Sequence, residues 1–465
     1  MTTSIAWFRR DLRVADHPAL QAAVAEAGTH GEVVALFVVD PRLAATGANR
    51  RHFLAGCLGE LDGALGGNLT LRSGRPEVVV PEVARQVGAN RVFVTGDCTG
   101  FGRRRDEAVA SALAAADAEL VPVSSPYVVA PGTVRNQAGT PYRVFTPFSR
   151  AWRAHGWRPP LPAIGPARWL SPDAAGTAGT AGNARTAADA ADAAGLLTRP
   201  DDAPAAGLPV PGEAAALRLL DTFVGGPLDA YAATRDLPGT PGTSHLSPYL
   251  RFGALHPRQV LAGVGSGEGP DVFRSELAWR EFYADVVWHQ PGSVWRSMSP
   301  IGDRLRWDEG DEADRRFARW CAGTTGYPLV DAGMRQLLAE GWMHNRVRMV
   351  AASFLVKDLH IDWRRGARWF LDHLVDGDVA SNNHGWQWVA GTGTDAAPFH
   401  RIFNPEAQRE RFDPDGSYVR RYVPEEGTAD YPAPLVDHRA ERAEALARLA
   451  DARLDVRADR GDRRG

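Results

Sequence analysis

The residues best suited to chemistry are concentrated in one stretch, Asp376-Gly-Asp-Val-Ala-Ser-Asn382-Asn-His-Gly-Trp386-Gln-Trp388, which runs on to Gly391-Thr-Gly-Thr-Asp395-Ala-Ala-Pro398. Acids, amides and indoles are packed together there with a Gly/Thr-rich turn. A buried indole wants a partner for its N–H, and acids or amides buried beside it must be hydrogen-bonded. Few ordinary cores need that mixture. The economical reading is a wall around a large, flat ligand with a polar edge.

Three other segments carry reactive or ligand-binding side chains. In Ser275-Glu276-Leu-Ala-Trp279-Arg280-Glu281-Phe282-Tyr283, helical spacing puts Glu276, Trp279, Arg280 and Tyr283 on one face. That face is either a solvated charged surface or a pocket wall, with an indole to stack a base, a carboxyl for its polar edge and an arginine for phosphate. In Gly341-Trp342-Met343-His344-Asn345-Arg346-Val-Arg348-Met349, Asn345 and Met349 are four apart and meet. A methionine alone usually packs a core, but an asparagine beside it asks for a specific partner. Arg346 and Arg348 point in different directions. Thr243-Ser-His-Leu-Ser247 follows a Pro/Gly turn and precedes a helix; its hydroxyls serve either as caps or beside phosphate at free N–H groups.

These segments need a scaffold. A chain of 465 residues predicts two domains of unequal size. Runs 4–8, 33–39, 69–72, 91–95 and 119–123 read as short buried strands, with Ala-rich amphipathic stretches such as 50–65 and 103–117 between them. The expected fold is an α/β N-terminal domain over 1–130, a parallel five-stranded Rossmann-like sheet, followed by an all-α domain over 213–465. No G-x-G-x-x-G follows the first strand. Residues 131–212 read as an interdomain linker, with a partly disordered Ala/Gly/Pro-rich excursion over 171–212. Ten of the 14 tryptophans fall between Trp279 and Trp388, which favours an aromatic ligand site or stacking surface in the helical half.

Composition narrows the partners. A formal charge of −3 predicts no gross attraction to nucleic acid, although a local basic patch can act alone. Lys357 is the single lysine among 53 basic side chains. Cys57, Cys98 and Cys321 show no paired spacing, so neither a disulfide framework nor a metal site is expected. No signal core and no run of about 18 apolar residues is present, which predicts a soluble cytoplasmic protein without membrane contact.

Taken together, Tyr231, Thr243–Ser247, Glu276–Tyr283, Asn345–Met349, Asp376–Trp388 and Arg401-Ile-Phe-Asn-Pro405 occur in the order and approximate spacing of the photolyase/cryptochrome family. Trp7-Phe-Arg-Arg-Asp-Leu-Arg13 and Tyr142-Arg-Val-Phe-Thr-Pro-Phe148 match as well. The chain resembles that family over nearly its whole length, and most closely the class that repairs cyclobutane pyrimidine dimers.

The resemblance implies FAD bound in a U shape inside the helical domain and active as FADH⁻. Tyr231, Thr243, Ser244, His245, Leu246 and Ser247 would hold its phosphates. Asp376, Gly377 and Asp378 would line its ring edges, Asn382 would sit near the flavin N5, and Arg348 would pair with Asp376. Light-driven electron transfer to a flipped-out dimer would split the cyclobutane ring with no net redox change. Glu276 would donate a hydrogen bond to the pyrimidine edge as a protonated carboxyl. Trp279 and Met349 would pack the dimer, and Asn345 would contact it. Arg235, Arg280, Arg346, Arg401 and Gln408 would meet the DNA backbone, with Tyr283 among the DNA-facing residues. Trp386, Trp363 and Trp307 match the family's relay of tryptophans.

The implied partner is ultraviolet-damaged DNA, bound by a monomer with no obligate protein partner. Folate-type members carry an Asn-Glu pair where this chain reads Gly100-Phe-Gly102-Arg103-Arg-Arg-Asp106. That departure favours 8-hydroxy-5-deazaflavin over methenyltetrahydrofolate as the antenna, with Arg10, Arg51 and the surroundings of Phe101 as candidate contacts. His384 and His400 also depart from some relatives.

Other readings differ in testable ways. The (6-4) photoproduct class resembles a pattern with histidines where Asn345 and Met349 stand. A blue-light signalling cryptochrome without repair activity usually carries a signalling tail or altered pocket residues. A nucleotide-binding α/β domain on a helical scaffold would leave 376–398 unexplained.

Overall fold

The computed structural model describes residues 2–171, 195–395 and 401–462. Five strands, β1 (Thr3–Phe8), β2 (Glu32–Val39), β3 (Leu69–Ser73), β4 (Arg91–Val94) and β5 (Glu119–Pro122), form one sheet in the order β3-β2-β1-β4-β5. Every pairing is parallel; Trp7 of β1, for instance, sits opposite Leu36 of β2 and Val94 of β4. The strand runs read from sequence match to within one or two residues.

Both faces of the sheet are covered, which is why β1 and β2 are apolar almost without alternation. Ala6, Phe8, Ala35, Phe37 and Val39 turn to one face, against Leu20 of the helix Pro18–Ala27 and Phe53 and Leu58 of the helix Ala48–Ala64. Ile5, Trp7, Val34, Leu36 and Val38 turn to the other, against Val80 and Val83 of Pro76–Val87 and Val109 and Leu113 of Gly100–Ala114. The first layer continues without a break into the helical half through Phe148, Trp152, Tyr249, Phe273 and Phe282.

After β5 the described residues form helices and loops, apart from a single bridge between Val33 and Trp169. The 22-residue helix Glu268–His289 packs against Phe145–His155 through Phe148 and Phe282, 5.2 Å between ring centres. A second core gathers Trp320, Leu337, Phe354, Trp363, Phe370 and Trp386.

The halves are tied by backbone as well as side chains. Leu12 N–H donates to the Phe252 carbonyl at 3.2 Å, and the Arg13 guanidinium to the Gly253 carbonyl at 3.0 Å. Gly253 has φ +68°, and a Cβ there would lie 2.0 Å from the Arg10 carbonyl oxygen, so only glycine permits this contact. Glu281 is buried at the seam and accepts from the N–H groups of Val128 and Val129 and from the Trp152 indole.

Where it is described, the expected excursion over 171–212 lies largely at the surface but is fastened at several points. Leu197 is 3% exposed. Asp202 is ion-paired to Arg51, Ala205 N–H bonds Asn49 at 2.8 Å, and the Val210 carbonyl accepts from Tyr249 at 2.7 Å. A segment poor in large apolar groups is thus fastened by polar contacts that its composition does not reveal. Residues 172–194 lie outside the described residues.

Candidate functional site

A cavity of about 610 Å³ opens in the helical half. Its lining collects Tyr231, Arg235, Thr243–Ser247, Glu276, Trp279, Arg280, Tyr283, Asn345, Arg346, Arg348, Met349, Asp376–Asp378, Asn382, Trp386 and Arg401. Segments spread over 170 positions of sequence, Tyr231 to Arg401, therefore converge on one space.

One wall is a chain of hydrogen bonds ending on Asp376. The Arg348 fork reaches it twice, Nη1 to Oδ1 at 3.2 Å and Nη2 to Oδ2 at 2.8 Å, while Arg348 Nε holds the Met343 carbonyl at 2.7 Å. Ser247 Oγ donates to Asp376 Oδ2 at 2.6 Å and accepts from the Trp342 indole at 3.3 Å. The helix Ser247–Phe252 has no side-chain cap, so this hydroxyl fixes the wall instead of the helix end. His245, at φ +50°, lies against Trp342 with ring centres 4.2 Å apart.

Asp378 has a different duty. Its Oδ1 accepts from the N–H groups of Ala380 and Ser381 and caps the helix Val379–Ala390. Its Oδ2 accepts from Arg10 at 2.7 Å, with Arg251 3.9 Å away. Burial alone would raise this carboxyl, but Arg10, Arg251 and Arg280 together hold it well below the usual carboxylate range. Arg10, expected at an antenna site, instead crosses from the sheet domain to the cavity wall. Arg51 is corrected likewise: it is buried, and its guanidinium binds the carbonyls of Ala44 and Thr46 and pairs with Asp202. Phe101 is 47% exposed under the Arg42 guanidinium.

The opposite wall is the face of Glu268–His289. Trp279 stacks one side of its ring on Phe145, 3.7 Å apart and 7° from parallel. Tyr283 lies behind it, 5.4 Å from Trp279 and stacked on His384 at 5.5 Å. Glu276 pairs with Arg235 at 2.5 Å. Its carboxyl is nonetheless pushed up, because burial outweighs that one arginine and Asp236 lies nearby. Asn345 Nδ2 lies 3.9 Å from Met349 Sδ, so the two meet as their spacing predicts.

Several cationic residues expected to reach outward are engaged. Arg235 is taken up by Glu276, and Arg346 pairs with Asp236 at 2.7 Å over the Phe412 ring. Arg280 is turned inward: it donates to the Pro126 and Leu250 carbonyls and covers Tyr127 at 4.3 Å. Arg401 is exposed at the cavity. Gln408 sits on the helix Pro405–Phe412, outside the lining.

Below the walls, Asn382 donates to the Ala367 carbonyl at 3.1 Å and lines the floor with Trp386, Phe370 and Leu374. Trp386 is seated on Gly366, where a Cβ would come within 2.2 Å of its ring. Its ring centre is 5.0 Å from Phe370 and 6.1 Å from Trp320. Trp363 is fully buried in the same core, and Trp307 is half-buried at its edge. His384 bonds Ser293 at 3.2 Å, and burial lowers its pKa to about 4, which keeps it neutral. His400 and Pro398 lie outside the described residues.

Sequence reasoning missed Trp342, Phe145 and Arg251 as site residues. Trp342 stood inside a motif already singled out, so an indole beside Asn345 was an available signal. Phe145 stood within the matched Tyr142–Phe148 segment, but neither it nor Arg251 had a neighbour in sequence that announced its partner, since only the fold brings them together.

A five-stranded parallel sheet region joined to a helical region, with a cavity of about 610 Å³ in the latter, defines the class of protein. Residues 4–167 match the family described as DNA photolyase, and residues 273–428 the FAD binding domain of DNA photolyase. The chain is 40% identical over 482 residues to the deoxyribodipyrimidine photo-lyase of Streptomyces griseus, covering 97% of this chain and 99% of that one. It is similar to the crystal structure of a class III photolyase from Agrobacterium tumefaciens, with a TM-score of 0.83, 35% identity and 97% and 98% of the two chains covered. A Synechocystis cryptochrome matches with a TM-score of 0.83, 28% identity and 96% and 99% covered. The chain belongs to the DNA photolyase family.

Proposed function

We propose that the protein is a light-driven DNA repair enzyme that splits cyclobutane pyrimidine dimers with FAD as its cofactor. One observation carries this reading: Glu276, Trp279, Asn345 and Met349 line the same cavity whose floor and wall hold Asn382, Trp386 and Asp376. A lesion and a flat cofactor could therefore meet inside one space.

The residues fit the cofactor. Hydroxyls of Thr243, Ser244 and Ser247 line the cavity together with the Asp376–Arg348 pair. Trp386 is 3% exposed, and its indole N–H has no partner among the described residues, a buried donor that a ligand can satisfy. Thr243–Ser247 and Tyr231 would hold the phosphates, Asp376, Gly377 and Asp378 the ring edges, and Asn382 the flavin near N5. Bound and reduced, FAD would supply the light-driven one-electron chemistry that splits the dimer with no net redox change.

The protein's own contribution is placement and electrostatics. Trp279, braced from behind by Phe145, offers one ring face to the flipped pyrimidines. Met349 packs them and Asn345 contacts a polar edge. Glu276, its carboxyl raised by burial, donates a proton in a hydrogen bond to the carbonyl where negative charge develops. Trp307, Trp363 and Trp386 would pass electrons inward from a reductant in solution to the oxidised cofactor. Arg401 faces DNA phosphates, and Arg346 would do so only by exchanging the Asp236 carboxylate for a phosphate. An 8-hydroxy-5-deazaflavin antenna would sit in the sheet domain near Phe101, without Arg10 or Arg51, and the protein would act as a monomer.

The test is blue-light repair of an oligonucleotide carrying a single thymine dimer by chemically reduced protein, with a dark control and a (6-4) substrate alongside. Repair of the dimer alone, only in light, is expected. The similarity to the Synechocystis cryptochrome supports a second reading, a blue-light photoreceptor. Bound flavin with no repair of either lesion would favour it.

A further inference from the structure

Lys357, the single lysine among 53 basic side chains, is not at the surface. It is 1% exposed, in the π-helical turn Phe354–Asp358 that continues the helix Asn345–Ser353. Its Nζ donates to the Arg401 carbonyl at 2.9 Å. Four residues earlier, the Ser353 hydroxyl accepts from the Phe403 N–H at 3.4 Å. The neighbouring chain from Arg401 to Phe403 is therefore held at two points from one helical edge.

The same helical stretch carries the cavity residues. Asn345 and Met349 are four apart, as are Ser353 and Lys357, and each pair is close enough to act together. The first two line the cavity, and the last two hold the backbone whose residue Arg401 lines it as well. Burying the ammonium costs free energy, and desolvation lowers its pKa to about 8. A compact ammonium with three rotatable donors suits an enclosed carbonyl better than a planar guanidinium fork. That geometry accounts for a lysine at this one position.

We propose that Lys357 is a positioning residue for substrate DNA: with Ser353 it clamps the backbone of Arg401–Phe403, so that the Arg401 guanidinium meets a phosphate beside the lesion while Asn345 and Met349, on the same helix, meet the lesion itself. This rests on the reading of the cavity given above. Lysine and lesion contacts then move as one rigid piece, and the register between phosphate and lesion is set within a single helix.

The test measures binding of a dimer-containing duplex over a salt series, with amide exchange of residues 401–405 as a second readout. Arg401→Gln serves as the reference for one lost phosphate contact. Lys357→Met removes the donor at similar length, and it should weaken binding about fivefold and flatten the log–log salt slope by about 0.9. The double variant should lose no more than either single one, because both remove the same contact. Exchange at Phe403 should speed up in Lys357→Met. Lys357→Gln, which keeps an N–H donor without the charge, should recover most of the affinity. Ser353→Ala takes the place of Lys357→Met should the latter fail to fold. Unchanged slopes in these variants, or losses that add to that of Arg401→Gln, would overturn the proposal. A wild-type protein with no preference for dimer DNA would instead overturn the functional reading, which keeps the two failures apart.

Discussion

Glu276 and Asp378 line the same cavity, and burial pushes both carboxyls up. Asp378 is met by Arg10, Arg251 and Arg280 and by two backbone N–H groups, and its carboxyl falls well below the usual range. Glu276 has one guanidinium, Arg235, with the carboxylate of Asp236 close by, and its carboxyl stays raised. Burial prevails at Glu276 and is overcome at Asp378, and the number of opposing donors makes the difference. The crowded carboxylate serves as a latch between domains, and the sparsely partnered one remains able to carry a proton.

The largest expected effect comes from emptying the latch. Asp378→Asn leaves Arg10 and Arg251 without their carboxylate and should cost roughly 3–5 kcal/mol in denaturant unfolding. The pH dependence has a definite sign. A carboxyl depressed in the folded state contributes stability above its unfolded value, about 3.9, and loses it as pH falls toward the folded value. The gap between wild type and variant should therefore be constant from neutral pH down to about 4 and narrow below it. A gap unchanged at about pH 2 would remove the ion pairs from the explanation.

Glu276 should respond in the opposite sense. Glu276→Ala should lower repair yield about tenfold while changing DNA affinity less, and Glu276→Gln, which keeps a donor, should lose less than Ala. Since the folded carboxyl is raised, the protonated donor is lost as pH rises through that raised value. Wild-type yield should decline in that direction, whereas the Gln variant should be flat. A pH-independent wild type would break the contrast with Asp378.

Arg235→Gln sharpens the same point. Removing the one group that lowers the Glu276 carboxyl should move the decline in yield to higher pH, visible as a displaced profile with little change in maximum yield. Smallest of all, Ser247→Ala deletes the 2.6 Å bond to Asp376. It should weaken FAD retention about fivefold, roughly 1 kcal/mol, measured by flavin fluorescence on dilution.

The sheet was legible in sequence because parallel strands buried on both faces read as unbroken apolar runs such as 33–39. The cavity was legible because its residues come in local clusters at helical spacing, from Glu276–Tyr283 to Asp376–Trp388. Contacts between distant segments were not. Arg10 reads as a candidate antenna contact because nothing near it in sequence announces Asp378, 368 residues away. Arg280 was read as a phosphate contact because helical spacing gives its face but not the carbonyls of Pro126 and Leu250 that hold it. The anchors of residues 195–212 could not be read from their composition because they are polar groups on other elements.

The Arg10–Asp378 latch has a consequence for how the protein is made. Arg10 emerges from the ribosome 368 residues ahead of its partner, which at about 5–20 residues per second is roughly 20–70 s earlier. During that interval the sheet can fold, since all five strands lie within the first 122 residues, but the site that accepts the arginine does not yet exist. The late arrival of Asp378 both starts the helix Val379–Ala390 and recruits Arg10. This cavity wall is thus completed long after the sheet has been made, and a truncated chain ending before Asp378 would present a folded sheet domain with nothing to dock against Arg10.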